Sequence, residues 1–229
     1  MTAFIVDSPA YSVLTETISH AGYYTCRKCV TRGEYEETNV AFNDFDAAMR
    51  TDEGFRRQAQ EEHHRGHSPI QDLPGIDMVK NFPYGYMHLA CLWVMRKLLS
   101  LLMTGPLLAA PELRQVMLHP GPYVFKDIVM HDVCVHFLSF HYAMRCYVGV
   151  RYRHPRSVAQ KLMHYFASNF KNLYGRRSVF HNVHALIHVH DDPAHYGCLE
   201  RISCFKFENK MQRLKKLVKK SDRLLQQIV

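Results

Sequence analysis

The stretch Phe4-Ile5-Val6-Asp7-Ser8-Pro9-Ala10 near the start of the chain predicts a strand that runs directly into a helix. Residues 2–7 are mostly apolar and partly β-branched, which is typical of a short buried strand. Ser8 suits a helix N-cap and Pro9 suits the first helical position, so we expect a helix from there to about His20. The carboxylate of Asp7 would then lie where the two elements join.

A second stretch near the other end, Cys204-Phe205-Lys206-Phe207-Glu208-Asn209, repeats this organisation. Residues 197–205 predict a short strand, and residues 206–227 predict a helix with Glu208 in its first turn. Carboxylates that share a divalent metal can activate water and stabilise a leaving oxygen in phosphate chemistry. Each acid also has an ordinary reading, Asp7 as a loop acid and Glu208 as a favourable charge at a helix N-terminus.

Most of the residues between these two stretches predict helices. Apolar residues recur at helical spacing, and we expect helices over 86–102, 113–118, 124–148, 155–174 and 179–189. Residues 34–75 are charged and weakly periodic, with a short helix over 52–64 and loop elsewhere. The chain is therefore predicted to be α+β and mostly helical, in the order strand–helix, helical block, strand–helix.

The pair Cys26-x-x-Cys29 predicts a structural zinc site. Two thiolates at this spacing can share one tetrahedral zinc, and two further ligands must come from elsewhere. The candidates are the loop histidines His63, His64 and His67, together with His88. Zinc would explain how a charged segment of low periodicity folds. The alternative is a pair of ordinary thiols.

A histidine series near residue 185 has its own alternatives. His181, His184 and His188 fall on one helical face, which can bind a metal ion. The same face can lie near carboxylates or phosphates, or consist of ordinary surface and core histidines.

The net charge of +8 favours an acidic partner, with DNA the first candidate. Residues 206–223 carry eight Lys or Arg and two acids, for a local charge of +6. The predicted DNA-binding residues are Lys210, Arg213, Lys215, Lys216, Lys219 and Lys220. The alternative is a solvated helix face. The apolar stripe Met211, Leu214, Val218, Leu225 and Ile228 would also allow this helix to pair with a second copy or a partner helix.

Composition indicates the compartment. Seven cysteines at irregular spacing are typical of a reducing environment, which predicts a nuclear or cytoplasmic protein. The first residues lack a basic segment, so we do not expect secretion. The longest apolar run, residues 98–103, is followed by Gly105-Pro106 and is too short to cross a bilayer.

Seven short motifs occur in order along nearly the whole chain: residues 7–10, 22–29, 50–56, 61–64, 86–89, 182–188 and 205–209. Their order and spacing resemble the C-terminal catalytic half of a eukaryotic DDE transposase, closest to the CACTA and Kyakuja–Dileera–Zisupton-like elements and their host-genome derivatives. The resemblance implies a partial ribonuclease H-like core formed by residues 1–22 and 195–229. It also implies a cysteine/histidine knuckle with an acidic loop over 23–75 and a helical insertion over 76–194.

The same resemblance implies roles for particular residues. Asp7 stands where the family has its second catalytic acid, and Glu208 where it has the third; the strand with the first acid lies outside this sequence. Relatives have Asp-x-x-His where this chain has Gly85-Tyr86-Met87-His88. The implied protein is a transposase-derived DNA-binding protein, with Mg²⁺ or Mn²⁺ as the metal of any catalytic site that survives. We expect no cleavage by this chain alone. The alternative is a non-catalytic, zinc-stabilised nucleic-acid or protein-interaction module.

Overall fold

The computed structural model describes residues 3–103, 108–149 and 156–217. Helices predominate in these residues and one small antiparallel hairpin accompanies them, so the prediction of a mostly helical α+β protein is confirmed. The helices are α1 Ser8–Leu14, α2 Asp52–Arg56, α3 Arg96–Leu102, α4 Ala110–Leu118, α5 Gly121–Lys126, α6 His131–Val148, α7 Arg156–Tyr174, α8 His181–Ala185, α9 Asp191–Tyr196 and α10 Phe205–Leu217. The strands are β1 Glu34–Glu36 and β2 Asn39–Ala41.

The first predicted strand is an extended segment without a partner strand in the part of the chain described. Phe4 donates its backbone N–H to the carbonyl oxygen of Asn81 at 2.8 Å, and its ring stacks on Phe82 at 4.9 Å. Apolar packing, rather than a strand ladder, therefore explains the apolar character of this segment. The helix that follows is capped by Asp7 and not by Ser8, and it ends at Leu14 instead of His20.

The second predicted strand, residues 197–205, is also wrong. Leu199–Ile202 forms a 3₁₀ turn and α10 begins at Phe205. Leu199 and Ile202 are both buried, and their separation of three residues places them on the same face of such a turn. The apolar residues here therefore follow a period of three and not the period of two that a half-buried strand requires.

The hairpin lies in the segment predicted to be an acidic loop. Tyr35 pairs with Val40 across the two strands, and Glu37 in the turn has a positive φ of 56°. Strand β1 is held to the rest of the protein by ion pairs of Arg176 with Glu34 and Glu36 at 3.0 and 2.8 Å. Two of the acidic residues in the segment predicted to be a loop, Glu34 and Glu36, are thus ion-pair partners of Arg176.

The predicted helical block is present and contains the main hydrophobic core. The helix expected over 86–102 consists of a π-helix, Met87–Met95, continued by α3. Helices α6 and α7 pack together through aromatic contacts, with His136 and Phe140 stacked on Phe166 at 4.3 and 4.7 Å. The helix expected over 124–148 is divided into α5 and α6.

A smaller apolar cluster joins segments that the predicted division keeps apart. Tyr11 and Phe55 pack with Met78, Val79 and Phe82. The main core likewise receives Ile5 and Phe45 from outside the helical block. The packing therefore crosses the boundaries expected at residues 22 and 75.

None of the helices in the described ranges has the length and apolar character needed to cross a membrane.

Candidate metal centre and acidic pocket

Four buried side chains converge to form a candidate metal centre. Ligand atoms of Cys26, Cys29, His184 and His188 all lie within 4.8 Å of one another. Cys29 Sγ lies 3.2 Å from His184 Nε2. Two sulfurs and two imidazole nitrogens are a typical ligand set for tetrahedral structural zinc.

Backbone hydrogen bonds hold the two cysteines in place. The N–H of Val30 donates to the carbonyl of Ala48 at 2.9 Å, and the N–H of Arg50 donates to the carbonyl of Lys28 at 2.8 Å. Arg50 also donates from Nε to the carbonyl of Cys26 at 2.9 Å. The knuckle is therefore braced by residues 48–50 before any metal binds.

The two histidines come from a distant part of the sequence, since His184 lies 155 residues after Cys29. His184 is in the last turn of α8, and His188 ends the 3₁₀ turn Leu186–His188 that continues it. A separation of four residues along a nearly continuous helix puts both rings on the same face. The ring centroids lie 5.4 Å apart.

The ionisation of the cysteines suits a metal ion. Burial opposes ionisation of Cys26, but hydrogen bonding with Cys29 and the charge of His188 outweigh it and lower the pKa of this thiol well below its usual value. The same hydrogen bond, together with burial, raises the pKa of Cys29. These shifts favour one thiolate in the pair, and a bound dication would favour the second.

The histidines also fit a metal ion because polar ring atoms lack protein partners. Among the described residues, His184 Nδ1 and His188 Nε2 are buried and accept or donate no hydrogen bond within the protein. A buried nitrogen without a partner is costly. Coordination through Nε2 would relieve this cost at His188, while His184 already presents Nε2 to Cys29.

The structure brings together the two predicted cysteines but not the predicted histidines. His63 directs Nδ1 to the carbonyl of Tyr24 at 2.6 Å, and burial lowers its pKa to about 3. His64 packs its ring on Phe55 at 4.6 Å, and His67 contacts Asp72 at 3.0 Å on the surface. The histidines close in sequence are therefore engaged by Tyr24, Phe55 and Asp72 and are not part of the four-residue group. The histidines that join the cysteines, His184 and His188, belong to the series whose helical face was one alternative for metal binding.

The first acidic residue of the predicted catalytic site has a structural role and also faces a pocket. Asp7 accepts the backbone N–H of Ala10 at 2.9 Å and so caps α1. It lines a pocket of about 200 Å³ together with Gly85 and His88. The pocket thus contains an acid, an imidazole and a residue without a side chain.

The second acid, Glu208, reaches the same region from α10. Its Oε1 lies 3.8 Å from His88 Nε2. Burial, followed by the negative charges of Glu208 and Asp7, raises the pKa of Cys204 to about 11, so both carboxylates lie near this thiol. His88, predicted as a zinc ligand, therefore accompanies the acids and not the cysteines.

Gly85 lies next to two segments that are far apart in sequence, one containing Ile5 and the other Cys204. A Cβ atom added to Gly85 would lie 3.2 Å from Cys204 Sγ and 3.8 Å from Ile5 Cγ2. The segment before Asp7 and the segment before Glu208 therefore lie on either side of one glycine.

The basic helix α10 begins at the core and presents cations to solvent. Phe205 packs against the main core, whereas Lys206, Lys210, Arg213 and Lys216 are exposed. Of the other predicted DNA-binding residues, Lys215 lies in α10, and Lys219 and Lys220 lie outside the described residues. Val218, Leu225 and Ile228 of the predicted apolar stripe lie outside them as well.

Comparisons with protein-family models, with curated proteins and with solved structures find no match to this chain.

Proposed function

We propose that this chain is a transposase-derived, DNA-binding protein, held together by a structural zinc and unable to cut DNA alone. One observation carries the proposal. Asp7 and Glu208, the two acids that the resemblance pairs, approach the same side of the molecule around Gly85 and His88. A structural role for each acid separately gives no reason for this convergence. A nuclear location would follow from the same function.

The zinc in this proposal has a structural role. Cys26, Cys29, His184 and His188 would hold it, and four protein ligands leave no position for water or substrate. All four are buried, which fits a closed site. When bound, the ion would join the knuckle to α8 and add its binding free energy to folding.

The pocket beside Asp7 is proposed to bind DNA without cleaving it. Strand cleavage in the resembled family depends on three acids that hold two divalent ions, Mg²⁺ or Mn²⁺. This chain offers Asp7 and Glu208, and it has Gly85 where relatives have a further acid. Because one of the three acids is missing, at least one divalent ion would lose its ligands. Activation of the nucleophile and stabilisation of the leaving oxygen would then no longer act together.

Two assays on the zinc-loaded chain test the proposal. We expect binding to duplex DNA that weakens steeply as salt rises, because basic residues release counterions from the phosphates. We expect no nicking of plasmid DNA with Mg²⁺ or Mn²⁺. Nicking that disappears in Glu208→Gln would contradict the inactive part of the proposal, and salt-independent or undetectable DNA binding would contradict the DNA-binding part.

The metal centre favours a second candidate, a non-catalytic zinc-stabilised module for nucleic-acid or protein interaction. The four ligands need neither Asp7 nor Glu208. This candidate predicts that Asp7→Asn and Glu208→Gln leave DNA binding unchanged with and without divalent ions. The transposase-derived reading predicts that divalent ions strengthen DNA binding and that the two substitutions abolish this increase.

A further inference from the structure

The pocket beside Asp7 contains a buried cation, Arg27, that forms no ion pair with any carboxylate in the described part of the chain. Arg27 is 3 % exposed and lines this pocket. Its guanidinium carbon lies 4.2 Å from the ring centroid of Tyr11 and 4.6 Å from that of Tyr84. These two rings fix the plane of the guanidinium, since cations favour positions over aromatic faces.

Arg27 has few polar contacts for so buried a group. Nη2 donates a long hydrogen bond to Ser8 Oγ at 3.4 Å, while Nη1 is buried and has no partner among the described residues. Buried charges are normally paired, because an isolated ion loses its hydration without compensation. The unpaired nitrogen therefore indicates a ligand that the described residues do not supply.

The neighbouring charges that the structure describes do not neutralise the guanidinium of Arg27. The buried acid nearest the knuckle, Asp192, is shared by the ammonium of Lys28 at 3.9 Å and the backbone N–H of Tyr84 at 2.9 Å. A zinc ion with the thiolates of Cys26 and Cys29 has no net charge, so the metal centre does not neutralise Arg27 either. No carboxylate of the described chain lies within ion-pair distance of this guanidinium.

A second guanidinium lines the same pocket with an unused donor. Arg96 donates from Nη2 to the carbonyl of Leu108 at 3.2 Å, and its Nε is buried without a partner among the residues that the structure describes. Asp7 supplies one negative charge to this pocket, and Arg27 and Arg96 supply two positive charges. Positive charge is therefore in excess. Guanidinium groups present planar donors that match the oxygens of a phosphate.

We propose that Arg27 and Arg96 bind a phosphate group in this pocket, and that the occupant is a phosphodiester of a DNA strand. The choice of DNA rests on the proposed function; the phosphate chemistry rests on the two arginines alone. The pocket would then anchor the strand backbone beside Asp7 and His88, separately from the exposed cations of α10.

The only tryptophan of the chain gives a direct readout. Trp93 is 52 % exposed and lines this pocket. Titration of the zinc-loaded chain with inorganic phosphate, and separately with a short single-stranded oligonucleotide, should change its emission. Arg27→Gln should weaken both interactions about tenfold or more, since it removes hydrogen bonds to a charged group. The matched control is Arg57→Gln, an exposed arginine paired with Glu53 in α2.

The titrations with phosphate and with the oligonucleotide distinguish the possible outcomes. Competition between phosphate and the oligonucleotide for the Trp93 signal supports the proposal. A response to phosphate without competition from the oligonucleotide overturns DNA as the occupant, and no response to either ligand overturns the site. If Arg27→Gln loses zinc or melts early, Arg96→Gln decides, and unchanged affinity in that variant overturns the proposal. Fluorescence anisotropy of labelled duplex measures binding through α10 in the same variants, so a failure of this pocket is distinguishable from a failure of the proposed function.

Discussion

At the scale of single residues, the metal centre shows what local spacing can and cannot predict. The cysteines were predictable because two thiols in one tight knuckle are brought together by the local backbone. Their histidine partners were not, because 155 residues separate Cys29 from His184 and the path between them is set by tertiary packing. His63 and His64 lay nearer in sequence and pack on Phe55 instead.

A pair of histidine substitutions tests this assignment. His184→Gln should lose most of the bound zinc, because one of four ligands is removed. His63→Gln should keep stoichiometric zinc, since its amide can still donate to the carbonyl of Tyr24. Elemental analysis of the purified variants measures the difference. Equal zinc loss in both, or loss in His63→Gln alone, would assign the ligands as the sequence first suggested.

A buried histidine in the helical block predicts how stability depends on pH. His136 is fully buried, its Nε2 lies 2.8 Å from the carbonyl oxygen of Phe166, and burial lowers its pKa to about 4. In the unfolded chain this group takes up a proton near pH 6.5. The stability contributed by the neutral ring is therefore present above pH 6.5 and is lost as pH falls towards 4.

The expected result is a shallower pH dependence in His136→Gln, which can donate to Phe166 but cannot titrate. Between pH 6.5 and 4 the free energy of unfolding should fall less in the variant, by up to about 3 kcal/mol. Urea denaturation at several pH values measures both proteins, and metal release affects both in the same way. Parallel curves would show that His136 is protonated in the folded state.

At the scale of elements, the helices were predictable and the strands were not. Helices such as α7 have an apolar face that repeats along several turns, and the signal accumulates with length. The segments before Asp7 and before Glu208 are short and apolar, and such runs do not distinguish a strand from a buried extended segment or a 3₁₀ turn. The strands β1 and β2 have three residues each, too few for an alternating pattern.

Gly121, at the start of α5, lies so close to its neighbours that an added methyl group should destabilise the protein. A Cβ atom at Gly121 would lie 2.5 Å from both Phe137 Cζ and the carbonyl oxygen of Val116. Gly121→Ala should therefore reduce the free energy of unfolding by about 1–3 kcal/mol through overpacking. The control is Gly66→Ala, where no atom lies within 4 Å of the added carbon. Equal stability of the two variants in urea denaturation would contradict this packing.

The exposed cations of α10 lead to a prediction about DNA. Charge reversal of Lys206, Lys210, Arg213 and Lys216 to Glu should weaken binding and reduce the slope of log affinity against log salt by about 3 to 4, because four phosphate contacts are lost. A control with the same net charge reverses four exposed cations elsewhere: Arg65, Lys126, Arg156 and Lys161. Anisotropy with labelled duplex at several salt concentrations compares the two. Equal slopes would mean that α10 is only a solvated face.

At the scale of the whole molecule, the sequence predicted the mostly helical α+β class of the fold but not the elements at its two ends. The helical block and its core follow from composition and periodicity. The approach of Asp7 and Glu208 was expected from the resemblance to a family and not from any local pattern. It occurs through Gly85, whose lack of a side chain leaves room for Ile5 and Cys204. Tertiary packing of this kind has no signature in a short window of sequence.

The separation of the metal ligands also has a consequence for synthesis. Cys26 and Cys29 leave the ribosome long before His184, which lies 155 residues later than Cys29. At about 5–20 residues per second, the interval is on the order of ten to thirty seconds. During that time the nascent chain has two thiols without their imidazoles, exposed to oxidation and to competing metals. Helices between them depend on local contacts and can form in the interval. A zinc ion held by these four residues would close the structure as one of the last steps of folding, and limited zinc supply during translation would then reduce the yield of protein more than it would destabilise molecules already complete.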